Sequence, residues 1–115
     1  MIFIIDSDVE LAECVALACG EDKVRIFHNA IEAMQALDDG LPDLIFLDIM
    51  LTGPDGFSFL NEMISYTDTA KVPVVIMSGI DFKKANLDVY GVVGVLNKDM
   101  MKPEDIKNYV DSYTA

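Results

Sequence analysis

A chain of 115 residues has the size of one compact core, which excludes a multidomain enzyme. Hydrophobic residues make up 52% of it and charged residues 24%, a balance too apolar for a disordered tail. Against 8 Lys and Arg stand 20 Asp and Glu, a formal net charge of −12, and that field repels nucleic-acid backbones and anionic membranes.

Short apolar bursts alternate with amphipathic stretches of about ten residues, the pattern of strand and helix units on a parallel sheet. Residues 1–5 predict a first strand, and 9–19 a helix with Leu11, Val15 and Ala18 inward and Gly20 as its stop. Residues 23–27 read as the second strand. Asn29 is placed to cap a second helix, with Glu32 three residues on, and Ile31, Met34 and Leu37 form its buried stripe up to Asp39-Gly40. Residues 44–47 are apolar without a break, which suits a central strand covered on both faces. Beyond a loop holding Gly53, Pro54 and Gly56, the segment 57–66 sets Phe57, Leu60 and Ile64 on one side of a third helix. A fourth strand spans 74–77, a fourth helix falls within 81–90, where the periodicity is weakest, and a last strand spans 93–96. Pro103, followed by Glu104 and Asp105, opens a final helix with Ile106, Tyr109, Val110 and Tyr113 inward. The prediction is one α/β domain over residues 1–115. It is a doubly wound, flavodoxin-like (βα)5 sandwich of three layers around a five-stranded parallel sheet of order 2-1-3-4-5.

No apolar run approaches the roughly 20 residues that span a bilayer, and Met1 leads into Ile2-Phe3-Ile4-Ile5 without a basic leader. Cys14 and Cys19 lie about 140° apart around a helix axis, so they do not pair with each other. They read as free thiols of a reducing compartment, and the expected location is the cytoplasm. No segment for an output domain follows the final helix, so a complete chain would act by docking alone.

In an open parallel sheet, ligands bind beyond the carboxyl ends of the strands, where the strand order reverses. The first strand ends in Asp6-Ser7-Asp8, the third in Asp48, the fourth in Ser78-Gly79 and the fifth in Asn97-Lys98. In the order 2-1-3-4-5 these carboxylates, hydroxyl and ammonium fall on four adjacent strands at one edge. His28 follows the second, edge strand and reads as a solvated loop residue.

The stretch Pro42-Asp43-Leu44-Ile45-Phe46-Leu47-Asp48-Ile49-Met50-Leu51-Thr52-Gly53-Pro54-Asp55-Gly56 resembles the centre of the receiver domain of two-component response regulators. The likeness extends along the chain, with the acid cluster at Asp6, then Asp48, Ser78 and Lys98 in family order. It implies phosphoryl transfer to Asp48 from a histidine kinase or a phosphotransferase, with a divalent metal, usually magnesium. By that likeness Asp48 is phosphoacceptor and metal ligand, Asp6 belongs to the metal's acid shell and the Met50 carbonyl completes it. Ser78 would bond a phosphoryl oxygen, and Lys98 would pair with the charge.

Elementary chemistry agrees with those roles. Two carboxylates about 5 Å apart repel by roughly 3 kcal/mol at an effective dielectric near 20 and require a cation between them. Magnesium takes oxygen ligands and keeps several waters, and phosphoryl transfer needs charge compensation and in-line alignment more than covalent help.

The chain departs from the family's pattern at four points. Ser7 stands where the family usually has a second acid, so the further metal ligand is either Ser7 or Asp8, and Asp8 also suits the cap of the first helix. Val95 replaces the aromatic residue three before the lysine, Asp99 replaces the proline after it, and the spacing from Ser78 to Lys98 is short. Three of these lie on the face formed by the fourth helix, fifth strand and final helix, where receivers engage partners. With Val92 and Val93, that face is expected to present an apolar patch to a protein target or a second copy. Two alternatives stay open. One is a degenerate receiver that docks without phosphorylation. The other follows from Asp6-Ser7-Asp8, which also resembles the first motif of haloacid-dehalogenase-type phosphatases, with Asp6 as nucleophile and Asp8 as acid.

Overall fold

Five apolar segments pair in parallel to form the sheet: β1 (Ile2–Ile5), β2 (Val24–Phe27), β3 (Leu44–Asp48), β4 (Val74–Ser78) and β5 (Val92–Asn97). They lie in the order β2-β1-β3-β4-β5 in the computed structural model, which describes residues 1–50, 56–79 and 91–114. The helices among the described residues are α1 (Val9–Cys19), α2 (Ala30–Asp39), α3 (Gly56–Ile64) and α4 (Pro103–Tyr113). The helix expected within 81–90 lies outside the described residues.

Because side chains alternate across a strand, the sheet divides its apolar residues between two cores. Phe3, Ile5, Ile45, Leu47, Val74 and Ile76 face α2 and α3. Ile2, Ile4, Leu44, Phe46, Val75 and Met77 face α1 and α4. Every residue of β1, β3 and β4 is buried, the state of parallel strands covered on both sides.

Helix ends follow their caps. Asp8 accepts from Leu11 N–H at 3.1 Å to start α1, and Asn29 accepts from Glu32 N–H at 2.9 Å to start α2. Asp105 accepts from Lys102 N–H at 2.8 Å behind Pro103.

The helix faces differ from the sequence expectation, by one residue toward the C-terminus in α1 and by one residue toward the N-terminus in α2 and α3. In α1 the buried residues are Ala12, Val15, Ala16 and Cys19, with Leu11 and Ala18 at the margin. In α2 they are Ala30, Ala33, Ala36 and Leu37, while Ile31 is 57% exposed. Phe59, Leu60 and Met63 take the inner face of α3 and leave Ile64 exposed, and in α4 Ile106 and Val110 are buried while Tyr113 is exposed. Alanine carries little hydrophobic weight in a periodicity, yet it lets a helix axis settle close to a flat sheet, so the alanine rows win the inner positions in α1 and α2. Tyr109 reaches over β5 at Gly94, where any side chain would collide with its ring. Of the two valines expected in a partly exposed patch at β5, Val92 is buried and Val93 stays half-buried, packed against the α1 and α4 core. Cys14 is exposed and Cys19 buried, both as free thiols, and burial pushes the Cys19 thiol up to about 12.

Candidate functional site

Strand register brings the polar residues to one edge. Ile5 pairs with both Phe27 and Leu47, Asp48 with Met77, and Ser78 with Asn97. Asp6, Asp48, Ser78 and Lys98 therefore leave the sheet side by side at its carboxyl end, although the chain separates them widely.

Each carboxylate is oriented by its own loop. Asp6 Oδ1 accepts from Asp8 N–H at 2.9 Å, and Asp48 Oδ1 accepts from Met50 N–H at 2.9 Å. The other oxygens turn to one ammonium: Lys98 Nζ lies 2.9 Å from Asp6 Oδ2 and 3.2 Å from Asp48 Oδ2. Lys98 is anchored by its backbone, whose N–H donates to the Ser78 carbonyl at 2.7 Å. Asp6 and Ser78 are fully buried, whereas the edges of Asp48 and Lys98 reach solvent, with 6% and 18% of their side chains exposed.

Burial pushes the Asp6 carboxyl above its ordinary range, and the Asp48 charge adds to that push, while the Asp8 N–H and Lys98 pull the other way. Burial also works against the Lys98 ammonium, but its pairing with Asp6 and the charges of both carboxylates outweigh that and raise it. At about 3 Å, each contact is worth on the order of 5 kcal/mol at an effective dielectric of 20, and desolvation of three charges offsets much of it. One lysine for two carboxylates leaves the cluster net negative.

Asp6 Oδ2 is buried and faces the Lys98 ammonium at 2.9 Å. A buried carboxylate oxygen next to a second carboxylate is the donor type that a hard cation takes. The charged donor set is small. Among the described residues no three His, Cys, Asp or Glu side chains converge on one metal position. Asp8 is exposed and its carboxylate caps α1, and Ser7, half-buried, offers a hydroxyl without charge. The residues fit a magnesium ion that keeps most of its water.

The backbone-holding roles of two residues escaped the sequence reading, although His28 is exposed as that reading expected. His28 Nδ1 lies 2.8 Å from the Asp6 carbonyl, while the Asp6 N–H donates to the Phe27 carbonyl at 2.9 Å, so the residues ending β2 hold the Asp6 backbone from both sides. The signal was topological: once β2 is placed beside β1, the residue after Phe27 must neighbour Asp6. Gly56 is the other. Its N–H donates to the Ile49 carbonyl at 3.1 Å, and a Cβ there would lie 2.7 Å from Ile49 Cα, so only glycine lets α3 start against the turn that follows Asp48.

Comparison with known proteins follows the same lines. Over 49 residues, 43% of this chain, the sequence is 41% identical to the response regulator PleD of Caulobacter vibrioides, but that match covers 10% of PleD. The receiver domain of NtrX from Brucella abortus superposes with a TM-score of 0.79 at 24% identity, covering 100% of both chains. The signal receiver domain of a histidine kinase from Syntrophus aciditrophicus gives a TM-score of 0.82 at 20% identity over 97% of this chain and 87% of that one. The haloacid-dehalogenase reading finds no support in these likenesses, and the Asp8 that it requires as an acid is occupied as a helix cap. Residues 2–111 match the family model of the response regulator receiver domain. With that match running over nearly the whole chain and the strand order of its structural neighbours, the chain belongs to the response regulator receiver domain family.

Proposed function

We propose that this receiver takes a phosphoryl group onto Asp48 from the phosphohistidine of a histidine kinase or phosphotransferase and signals by docking to another protein. The observation that carries the reading is the Lys98 ammonium set within 3.2 Å of both Asp6 and Asp48, which puts a phosphoacceptor carboxylate and its countercharge at one partly open edge. Membership of the receiver family supports the partner class. Among the described residues no helix is long and apolar enough to cross a membrane, in keeping with a cytoplasmic site of action.

Met50 N–H fixes Asp48 Oδ1, so the carboxylate holds one orientation as an oxygen attacks phosphorus. The new P–O bond forms as the P–N bond to the donor histidine breaks, and that electron pair returns to the imidazole nitrogen. Lys98 offsets the charge on the phosphoryl oxygens, and the Ser78 hydroxyl donates to one of them. Magnesium, held by Asp6, Asp48 and the Met50 carbonyl with Ser7 or Asp8 completing the set, would supply further charge compensation. The signalling face for a target or a second copy is the side of β5 and α4, with which the sequence reading groups the fourth helix expected within 81–90, outside the described residues.

Incubation with acetyl phosphate and magnesium followed by intact mass tests the reading. One phosphoryl adduct that disappears in Asp48→Asn and survives mild unfolding is expected. An adduct kept in Asp48→Asn but lost in Asp6→Asn would transfer the chemistry to Asp6. No adduct at all would make the domain a phosphorylation-independent docking module.

A further inference from the structure

The inward turn of the α2 alanines leaves Ile31 exposed and Met34 only partly buried against the core. The sheet packs against Ala30, Ala33 and Ala36, while Ile31 and Met34 turn toward α3. There they meet Phe59 at the floor of an open hollow of 210 Å³. Past Met34 and Glu62 the depression continues into a second hollow of 310 Å³, where Tyr66 stands 56% exposed. Residues lining the groove run from Ala30 to Asp38, about 12 Å along α2 at 1.5 Å per residue, or roughly two turns of a helix laid beside it.

The rim carries one sign of charge. Asp38, Glu62 and Asp68 line the groove, and no Lys or Arg does so among the described residues. A second copy of a chain with net charge −12 would set acid against acid across this face. A segment with an apolar stripe flanked by Lys and Arg meets both the floor and the rim.

We propose that the α2–α3 groove docks a basic amphipathic helix of a partner protein, seated on Ile31 and Met34 and held by the acids at the rim. The groove lies on one face of the sheet, apart from the Asp48 edge, so this inference does not rest on phosphoryl transfer.

A fluorescein-labelled helical peptide of leucine and lysine, about 15 residues long, with leucines at i, i+3, i+4 and i+7, serves as the probe. A scrambled peptide of the same composition is its control. Fluorescence anisotropy with the full chain should give binding that Ile31→Glu weakens about tenfold. Leu17→Glu removes a comparably exposed residue, 66% accessible on α1 across the sheet, adds the same charge and should leave binding unchanged. Both sites are exposed, so each variant keeps its fold, and circular dichroism verifies this. Equal weakening by both variants, or equal affinity for the scrambled peptide, would reduce the effect to general charge attraction and overturn the proposal. Sedimentation showing a wild-type dimer lost in Ile31→Glu would assign the groove to a second copy and overturn it as well.

Discussion

Lys98 Nζ sits 2.9 Å from Asp6 Oδ2, and that contact is what allows a fully buried carboxylate to stand beside the candidate phosphoacceptor. Removing one member of a buried ion pair costs about 3–5 kcal/mol because the remaining charge is left without compensation. Lys98→Met should therefore lose about 3 kcal/mol in urea unfolding at neutral pH, and adding Asp6→Asn should restore most of it. If Lys98→Met alone keeps wild-type stability, the ammonium does not hold the pair.

The pH dependence has two limbs with determined signs. The folded Lys98 value is raised above its ordinary 10.5. Its stabilisation is therefore fully present below about 10.5 and is lost as pH climbs through the raised value. Asp6 is also raised, from 3.8. For a carboxyl this means that the folded state holds its proton longer than the unfolded chain does, so this group's contribution falls as pH rises from the ordinary carboxylate range through the raised value. Thermal melts across pH should show an alkaline loss that is absent in Lys98→Met and a declining step above pH 4 that is absent in Asp6→Asn. An unchanged alkaline limb in Lys98→Met would remove lysine from the account.

Ser7 sets the charge of the candidate metal shell. Cation affinity rises with the number of charged ligands, and Asp8 is engaged by Leu11 N–H. Ser7→Asp should tighten magnesium binding at least tenfold in calorimetric titration, whereas Asp8→Asn, which keeps the cap, should change it little. A tenfold loss in Asp8→Asn would make Asp8 the ligand.

Gly56 admits no side chain without moving the backbone at Ile49. Gly56→Ala should destabilise the fold by about 1–3 kcal/mol and slow phosphate uptake from acetyl phosphate, because the turn that aims Met50 N–H at Asp48 shifts with it. Wild-type stability together with wild-type uptake would show the contact to be soft.

The architecture was legible because parallel strands buried on both faces are written as unbroken apolar runs, as at Leu44-Ile45-Phe46-Leu47, and because Asp8, Asn29 and Pro103 mark helix starts by local chemistry. Helix rotation was not legible. Ile31 outweighs Ala30 and Ala33 in any hydrophobic periodicity, yet the distance between helix and sheet decides which row turns inward, and that distance is a tertiary quantity. At the site, residue types at strand ends announced Asp6, Asp48, Ser78 and Lys98 as candidates. The tether from His28 to the Asp6 carbonyl depends on the register that sets Ile5 opposite Phe27, and although the order of the strands was legible, no local pattern around His28 carries that register.

β5 is an edge strand that joins the sheet through β4, and it delivers Lys98. Asp6 and Asp48 precede this strand in the chain, so until it docks their like charges lack the ammonium that compensates them. The two acids gain their shared countercharge only when the strand that is last in chain order joins the sheet.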